Sequence, residues 1–328
     1  MRIIQNLKQI LLNSSRSLTN MAAQPVDIRA IKAIDHLSQL LLKGGQPFSI
    51  LDLGCSGGPT NAWTANWSNY KWLGIDAEPN SIIRLRSLLP EKSELQEGYV
   101  YSEKFCQHEQ PNKGSRLEIG EILKSNSFDF VKIDIDGCDL HILEGIFDNA
   151  GSKSILGIEI EVTYSSYRDS EINFDRCASV LIANGFEPVA IESARRYASK
   201  ELPSPYVWDI EAQTAMGKVF QGNQTWLRKL PGSDPRSPIV SALILAAYGL
   251  SDWSWQYYKD SIIDSPSMNN NKVLLELRSL FIPSFLREFT SETYDREYLR
   301  GFKYSAEFES WRQQSQFRET EQPWFLSN

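Results

Sequence analysis

The stretch LDLGCSGGP, residues 51–59, decides how the rest of the chain is read. An apolar run, FSILDL, leads into Gly54, and Gly57, Gly58 and a proline follow. A strand, a glycine turn and then a helix leave backbone N–H groups where a ligand can come close. The spacing limits which ligand. A dinucleotide fingerprint needs G-x-G-x-x-G, whereas here the order is Gly54-x-x-Gly57-Gly58. A triphosphate loop needs Gly-Lys followed by Ser or Thr, and that is missing too.

Acidic residues surround this turn. Asp52 sits inside the strand, where a carboxylate can accept bonds from an ammonium group or from the loop amides. The next strand, KWLGID (71–76), ends in Asp76, and Glu78 follows two positions on. The two acids share parity on an extended chain. Either can hydrogen-bond both ribose hydroxyls of a nucleoside; the plainer alternative is a pair of solvated loop carboxylates. The candidate cofactor-binding set is Asp52, Gly54, Cys55, Ser56, Gly57, Asp76 and Glu78.

Further out, strands alternate with helices. An amphipathic helix over 26–43, stopped by Gly44-Gly45, precedes the glycine loop. After the second strand the pattern predicts a helix over 81–89 and a third strand over 94–100. FDFVKIDID (128–136) is a fourth strand with an acidic end, and LHILEGIF continues it as a helix. Strands over 154–162, 186–192 and 222–229 follow, with a helix over 173–184 between the first two. Arg195 and Arg196 are expected in a loop after residue 192. This alternation predicts an α/β fold with a doubly wound, mainly parallel sheet. In such sheets ligands bind beyond the carboxyl ends of the strands.

The chain has 328 residues, with 41% hydrophobic and 23% charged, so it can bury a sizeable core. A net charge of -7 argues against a general nucleic-acid binder. Cys55, Cys106, Cys138 and Cys177 form no C-x-x-C pair and read as reduced thiols, which places the protein in the cytoplasm. The sequons at Asn66 and Asn223 carry no weight without a secretory signal. IVSALILAAYGL (239–250) is too short to span a membrane and reads as a buried helix. The first 18 residues have apolar positions at helical spacing and three basic residues. They can lie weakly on an anionic membrane surface or pack on their own domain. LPGSDPRSP (230–238) is a linker, and an aromatic-rich helical stretch follows it. The expected division is a helical lead over 1–45, a central domain over 46–230 and a helical C-terminal appendage over 231–328, the last a surface for homo-oligomers.

The chain resembles a class I S-adenosylmethionine (SAM) methyltransferase, and more specifically the FkbM family. FVKIDIDGCDLHILEGI (130–146) is similar to that family's "lKIDvEGaElevLkG" signature. RLEIGEIL (116–123), ILGIEIEVTY (155–164) and VFQGNQTWLRK (219–229) resemble the segments around it. The resemblance covers about residues 45–230 and not the tail. It implies a Rossmann-like sheet of the class I methyltransferase type, SAM as cofactor and O-methylation, often of sugars or natural products. The family's loop reads G-A-N-x-G where this chain has Gly54-Cys55-Ser56-Gly57-Gly58. Its "E-P" pair matches Glu78-Pro79, and its signature Glu is Asp136 here.

For that chemistry the acceptor oxygen must be aligned with the S–CH3 bond and lose its proton. Asp134 and Asp136 are the catalytic candidates. Lys132, Asp139, Glu159 and Glu161 are candidates for orienting the acceptor, a small molecule or glycan. Asp134, Asp136 and Glu159 can also be imagined around Mg²⁺, but no spacing demands a metal and none is assigned. His141, one turn into a helix, reads as structural, and His36 and His108 have no supporting context. Two alternatives stay open: a methyltransferase for a small non-sugar metabolite, and a non-catalytic SAM-binding or scaffold protein. A nicotinamide dehydrogenase is disfavoured by the glycine spacing.

Overall fold

Phe48–Leu53 forms a strand buried at all six positions, as a parallel strand covered on both faces must be. It lies at the centre of the computed structural model, which describes residues 28–59, 69–89, 93–104, 115–165, 172–197, 218–229, 234–262 and 271–281. The N-terminal segment 1–18, Asn66, Cys106, His108 and the aromatic residues after 281 lie outside the described residues.

The elements in chain order are α1 (Ile28–Lys43), β1 (Phe48–Leu53), β2 (Tyr70–Asp76), α2 (Pro79–Leu88), β3 (Glu94–Glu97), β4 (Tyr99–Tyr101), β5 (Arg116–Glu118), α3 (Ile119–Ser125), β6 (Phe130–Ile133) and α4 (Asp139–Phe147). They continue with β7 (Gly157–Thr163), α5 (Phe174–Ala183), β8 (Phe186–Tyr197), β9 (Lys218–Arg228), α6 (Arg236–Ala247), α7 (Ser251–Ile262) and α8 (Asn271–Phe281). Seven strands form one sheet in the order β3-β2-β1-β6-β7-β9-β8. Pairs from β3 through to β7 are parallel. β9 runs antiparallel between β7 and β8. The Rossmann-like, doubly wound, mainly parallel sheet expected from the sequence is what is found.

Two details differ. The single strand expected over 94–100 is two. Gly98 N still donates to Asp76 O at 2.9 Å, but Tyr99 N donates to Ser115 O at 2.8 Å, so the chain changes partner there. β4 and β5 then make a small parallel sheet of their own. β8 also continues past residue 192, so that Arg195 and Arg196 belong to the strand.

Side-chain parity divides the core in two. Phe48, Ile50 and Phe130 pack with α1, α2, α6, α7 and Phe281 on one face. Leu51, Leu53, Val131 and Ile133 pack with α3, α4 and α5 on the other. The C-terminal helices as far as residue 281 therefore share the sheet's core. α6 lies close enough that a Cβ on Gly157 would come within 2.7 Å of the Phe130 ring and 2.8 Å of Ile244 Cδ1. Its two ends are fastened. Arg236 makes a two-pronged ion pair with the buried Asp129, one bond being 2.7 Å. Asp129 in turn accepts from Ser49 N at 2.9 Å, just inside β1. At the other end Tyr248 donates to Glu159 of β7.

Because this face is one core, Leu243→Ala, fully buried in α6, is expected to cost about 2–5 kcal/mol and to shift a single cooperative urea transition. Ile83→Ala, 65% exposed on α2, should stay within about 0.5 kcal/mol. A two-step transition in which only one step moves would show that α6 folds apart from the sheet.

Candidate functional site

The strand order turns back between β1 and β6, which creates a crevice beyond their carboxyl ends. The two strand ends are nearly in contact there. Gly54 has φ 80°, and a Cβ on it would fall 1.6 Å from the Asp134 carbonyl oxygen. No side chain fits, whatever its rotamer. Gly54 N donates to Ile75 O at 2.9 Å, which joins the end of β2 to the same point. Gly57 is different, because a Cβ there would meet nothing within 4 Å. The loop is thus closed against β6 at Gly54 and open at Gly57.

Beneath it runs a row of polar side chains. The register aligns Asp52 with Lys132, and Lys132 with Glu159, so all three point to one face. All three are buried. Lys132 Nζ lies 3.5 Å from Asp52 Oδ1 and 3.0 Å from Asp134 Oδ2. Asp52 Oδ1 accepts no hydrogen bond. Burial pushes the Asp52 carboxyl up to about 6, against the pull of Lys132. Burial works to lower the Lys132 pKa, but Asp52, Asp134 and Glu159 more than reverse this and raise it. Glu159 is also raised by burial, although Tyr248, Lys132 and Asn223 favour its charged form.

Beyond β6 the chain makes a tight loop. Asp136 is exposed and has φ 55°, a left-handed conformation that costs a non-glycine residue energy. Asp139 holds the loop from inside, its carboxylate accepting from Ile135 N at 3.0 Å and Gly137 N at 3.1 Å. Burial raises its pKa against those bonds. Much of its hydrogen-bonding capacity is thus spent on backbone, which its sequence position did not reveal.

The acids after β2 also differ from one another. Asp76 accepts from Glu78 N at 2.8 Å. Glu78 caps α2, accepting from Asn80 N at 3.2 Å, with Pro79 in the first turn. Cys55 is fully buried, and burial, with Asp52 and Asp76 adding to it, raises its thiol pKa. It packs as a small apolar side chain. Ser56 is exposed and its carbonyl accepts from Arg84.

Glu161, two residues beyond Glu159, is 3% exposed and accepts from Gln221. It lines a cavity shared with Asp139 and His141. Among the described residues no cluster of three His, Cys, Asp or Glu side chains is arranged to hold a metal ion. No described helix is long and apolar enough to cross a membrane. Tyr248, Asn223 and Gln221, which engage the buried glutamates, were not among the sequence's site candidates, Asn223 having entered only as a sequon. The available signal was a tyrosine ending an otherwise apolar helix, and polar residues alternating along the final strand.

No family model matches this chain, and no curated protein matches it. Among solved structures it is similar to the bifunctional kinase-methyltransferase WbdD, with a TM-score of 0.36 and 15% identity over 63% of this chain. The match spans 40% of that chain, so about two fifths of its length is shared. It is also similar to a TehB-like SAM-dependent methyltransferase from Corynebacterium glutamicum, with a TM-score of 0.30 and 16% identity over 66% of this chain and 97% of that one. A third is magnesium protoporphyrin IX methyltransferase from Synechocystis with bound SAM, with a TM-score of 0.30 and 9% identity over 64% and 85% of the two chains.

The raised pKa of Asp52 has a measurable sign. Its folded value, about 6, exceeds that of the unfolded chain, about 3.9. Its contribution to stability is therefore full below the unfolded value and is lost as pH rises through about 6. The stability of Asp52→Asn relative to the parent should rise between about pH 4 and 7, by at most about 1.4 kcal/mol per pH unit. Urea midpoints across that range measure it, and a flat difference would contradict the assignment.

Proposed function

We propose that this chain is a SAM-dependent methyltransferase that acts on a hydroxyl oxygen, with a sugar the favoured acceptor. The observation that carries the reading is the crevice at Gly54. Its backbone is pressed against the Asp134 carbonyl, its fingerprint fits neither a dinucleotide nor a triphosphate, and its surroundings are acidic. A nucleoside without phosphates suits that setting. Asp52, at the end of β1 beside Lys132, is assigned to the ammonium of the methionine end. Asp76, at the end of β2, is assigned the ribose hydroxyls in this reading, because Glu78 is engaged at the start of α2. Cys55 supports the loop from inside, while Ser56 and Gly57 form its open side.

When bound, SAM supplies a methyl group that is already activated. The chain's part is to align the acceptor and take its proton, and alignment alone is worth on the order of 7–11 kcal/mol in well-oriented systems. Asp134, tied to Lys132, and the exposed Asp136 sit at the carboxyl end of β6. They are assigned the proton. The oxygen and sugar preference is supported by the likeness of FVKIDIDGCDLHILEGI to the FkbM signature.

Calorimetry with S-adenosylhomocysteine and with NAD tests the ligand class. The first should bind and the second should not, and Gly54→Ala should abolish binding. NAD binding without S-adenosylhomocysteine binding would overturn the reading. With a panel of methyl glycosides as acceptors, Asp134→Asn should slow methyl transfer by about 10²–10⁴ and leave S-adenosylhomocysteine affinity within about twofold. Unchanged transfer would remove Asp134 from the mechanism.

A further inference from the structure

The loop from Ile135 to Cys138 joins two fixed ends. Asp134 N donates to Leu53 O at 3.0 Å, which keeps the end of β6 on β1. α4 is anchored by Leu140, Ile142, Leu143 and Ile146, all buried. Between these ends the side chains of Ile135 and Cys138 pack against the core, whereas Asp136 and Gly137 are exposed. Both tip residues have left-handed angles, φ 55° at Asp136 and φ 126° at Gly137. Glycine takes such angles freely, while aspartate takes them at a cost.

We propose that Asp139 is a positioning residue for the acceptor step: it clamps the loop backbone on both sides of Asp136 and so holds that acid in its left-handed conformation at the rim of the crevice. The proposal rests on the methyltransferase reading for what Asp136 does there, while the clamp itself stands on the loop's geometry. Asp139 is 4% exposed, and its two oxygens divide the task. Oδ1 accepts from Ile135 N at 3.0 Å and Oδ2 from Gly137 N at 3.1 Å. The bonds bracket Asp136. One fixes the peptide unit entering Ile135, and the other fixes the unit leaving Asp136.

Burying a carboxylate is costly. Here two charge-assisted bonds, together with a place in the first turn of α4, offset that cost. A bend alone would not call for this expense, because a glycine at 136 would make the same turn without strain. A strained aspartate at the tip, with a second, buried aspartate spent on holding it, is the pattern expected where the first carboxylate is needed for chemistry. The two acids thus have separate roles. Asp136 shares with Asp134 the task of taking the acceptor's proton, and Asp139 acts only through the backbone of Asp136.

The test compares Asp136→Gly with Asp136→Ala, because the order of their stabilities reports the sign of φ. At a positive φ the glycine variant has the higher urea midpoint, and at a negative φ the alanine variant does. With Asp139 present, the glycine variant should be the more stable. In an Asp139→Asn background, where one amide oxygen is left to accept one of the two bonds, the gap should close or reverse. An alanine variant more stable than glycine with Asp139 present, or a gap that Asp139→Asn does not alter, would overturn the proposal. Should Asp139→Asn fail to fold, Asp139→Ser replaces it, and hydrogen exchange in the parent adds a second measurement. The exposed Gly137 should have its amide protected at least about tenfold, and an unprotected amide counts against the clamp. In methyl transfer to the methyl glycosides, Asp139→Asn should lower kcat about tenfold or more and leave the KM for SAM within about twofold. In the Asp136→Gly background it should lower kcat no further. No loss in the parent, or an equal loss in both backgrounds, would make Asp139 a purely structural residue. If the parent fails to bind S-adenosylhomocysteine, the methyltransferase reading falls instead, and the glycine–alanine comparison still decides the clamp.

Discussion

One ammonium group organises the carboxyl edge of the sheet. Lys132 is buried among Asp52, Asp134 and Glu159, which stand on or just beyond three adjacent strands. Taking these charges out of water is expensive, and the attraction among them roughly offsets that cost at best. The arrangement is therefore a device for position. It sets the Asp134 carboxylate at the lip of the crevice and, through Glu159, ties β7 to Tyr248 on the covering helix. Removing Lys132 would leave buried carboxylates without their counter-ion, so the geometry of the crevice and the seating of α6 stand on the same residue.

Much of this architecture was legible in the sequence, for a simple reason. Strands buried on both faces appear as short apolar runs, and their carboxyl ends, where ligands bind, show as sudden acids at Asp76, Asp134, Glu159 and Glu161. What stayed hidden was how each acid spends its hydrogen bonds. Asp139 and Glu78 look like neighbours of Asp136 and Asp76, yet one braces a loop and the other caps a helix. Local side-chain bonds to backbone depend on turn geometry that residue type alone does not specify.

Partner choice among distant segments was the other blind spot. Periodicity shows that the helix after Pro238 has no polar face, but not which surface it covers. Only packing reveals that Gly157 lacks a side chain because Phe130 and Ile244 fill the space, or that the chain changes strand partners at Gly98.

The covering helices also bear on how the protein is made. His36 on α1 bonds Tyr258 on α7 across 222 positions of sequence, and Arg236 bonds Asp129 across 107. A ribosome will have delivered β1 and β6 long before α6 emerges, and during that interval Phe48, Ile50 and Phe130 have no helix α6 to lie against. Contacts of such long range are slow to form because the closing loop is large. The nascent sheet passes through a stage in which the part of one face that α6 and α7 later cover is apolar and bare, which is the kind of surface that chaperones hold and that aggregates when they do not.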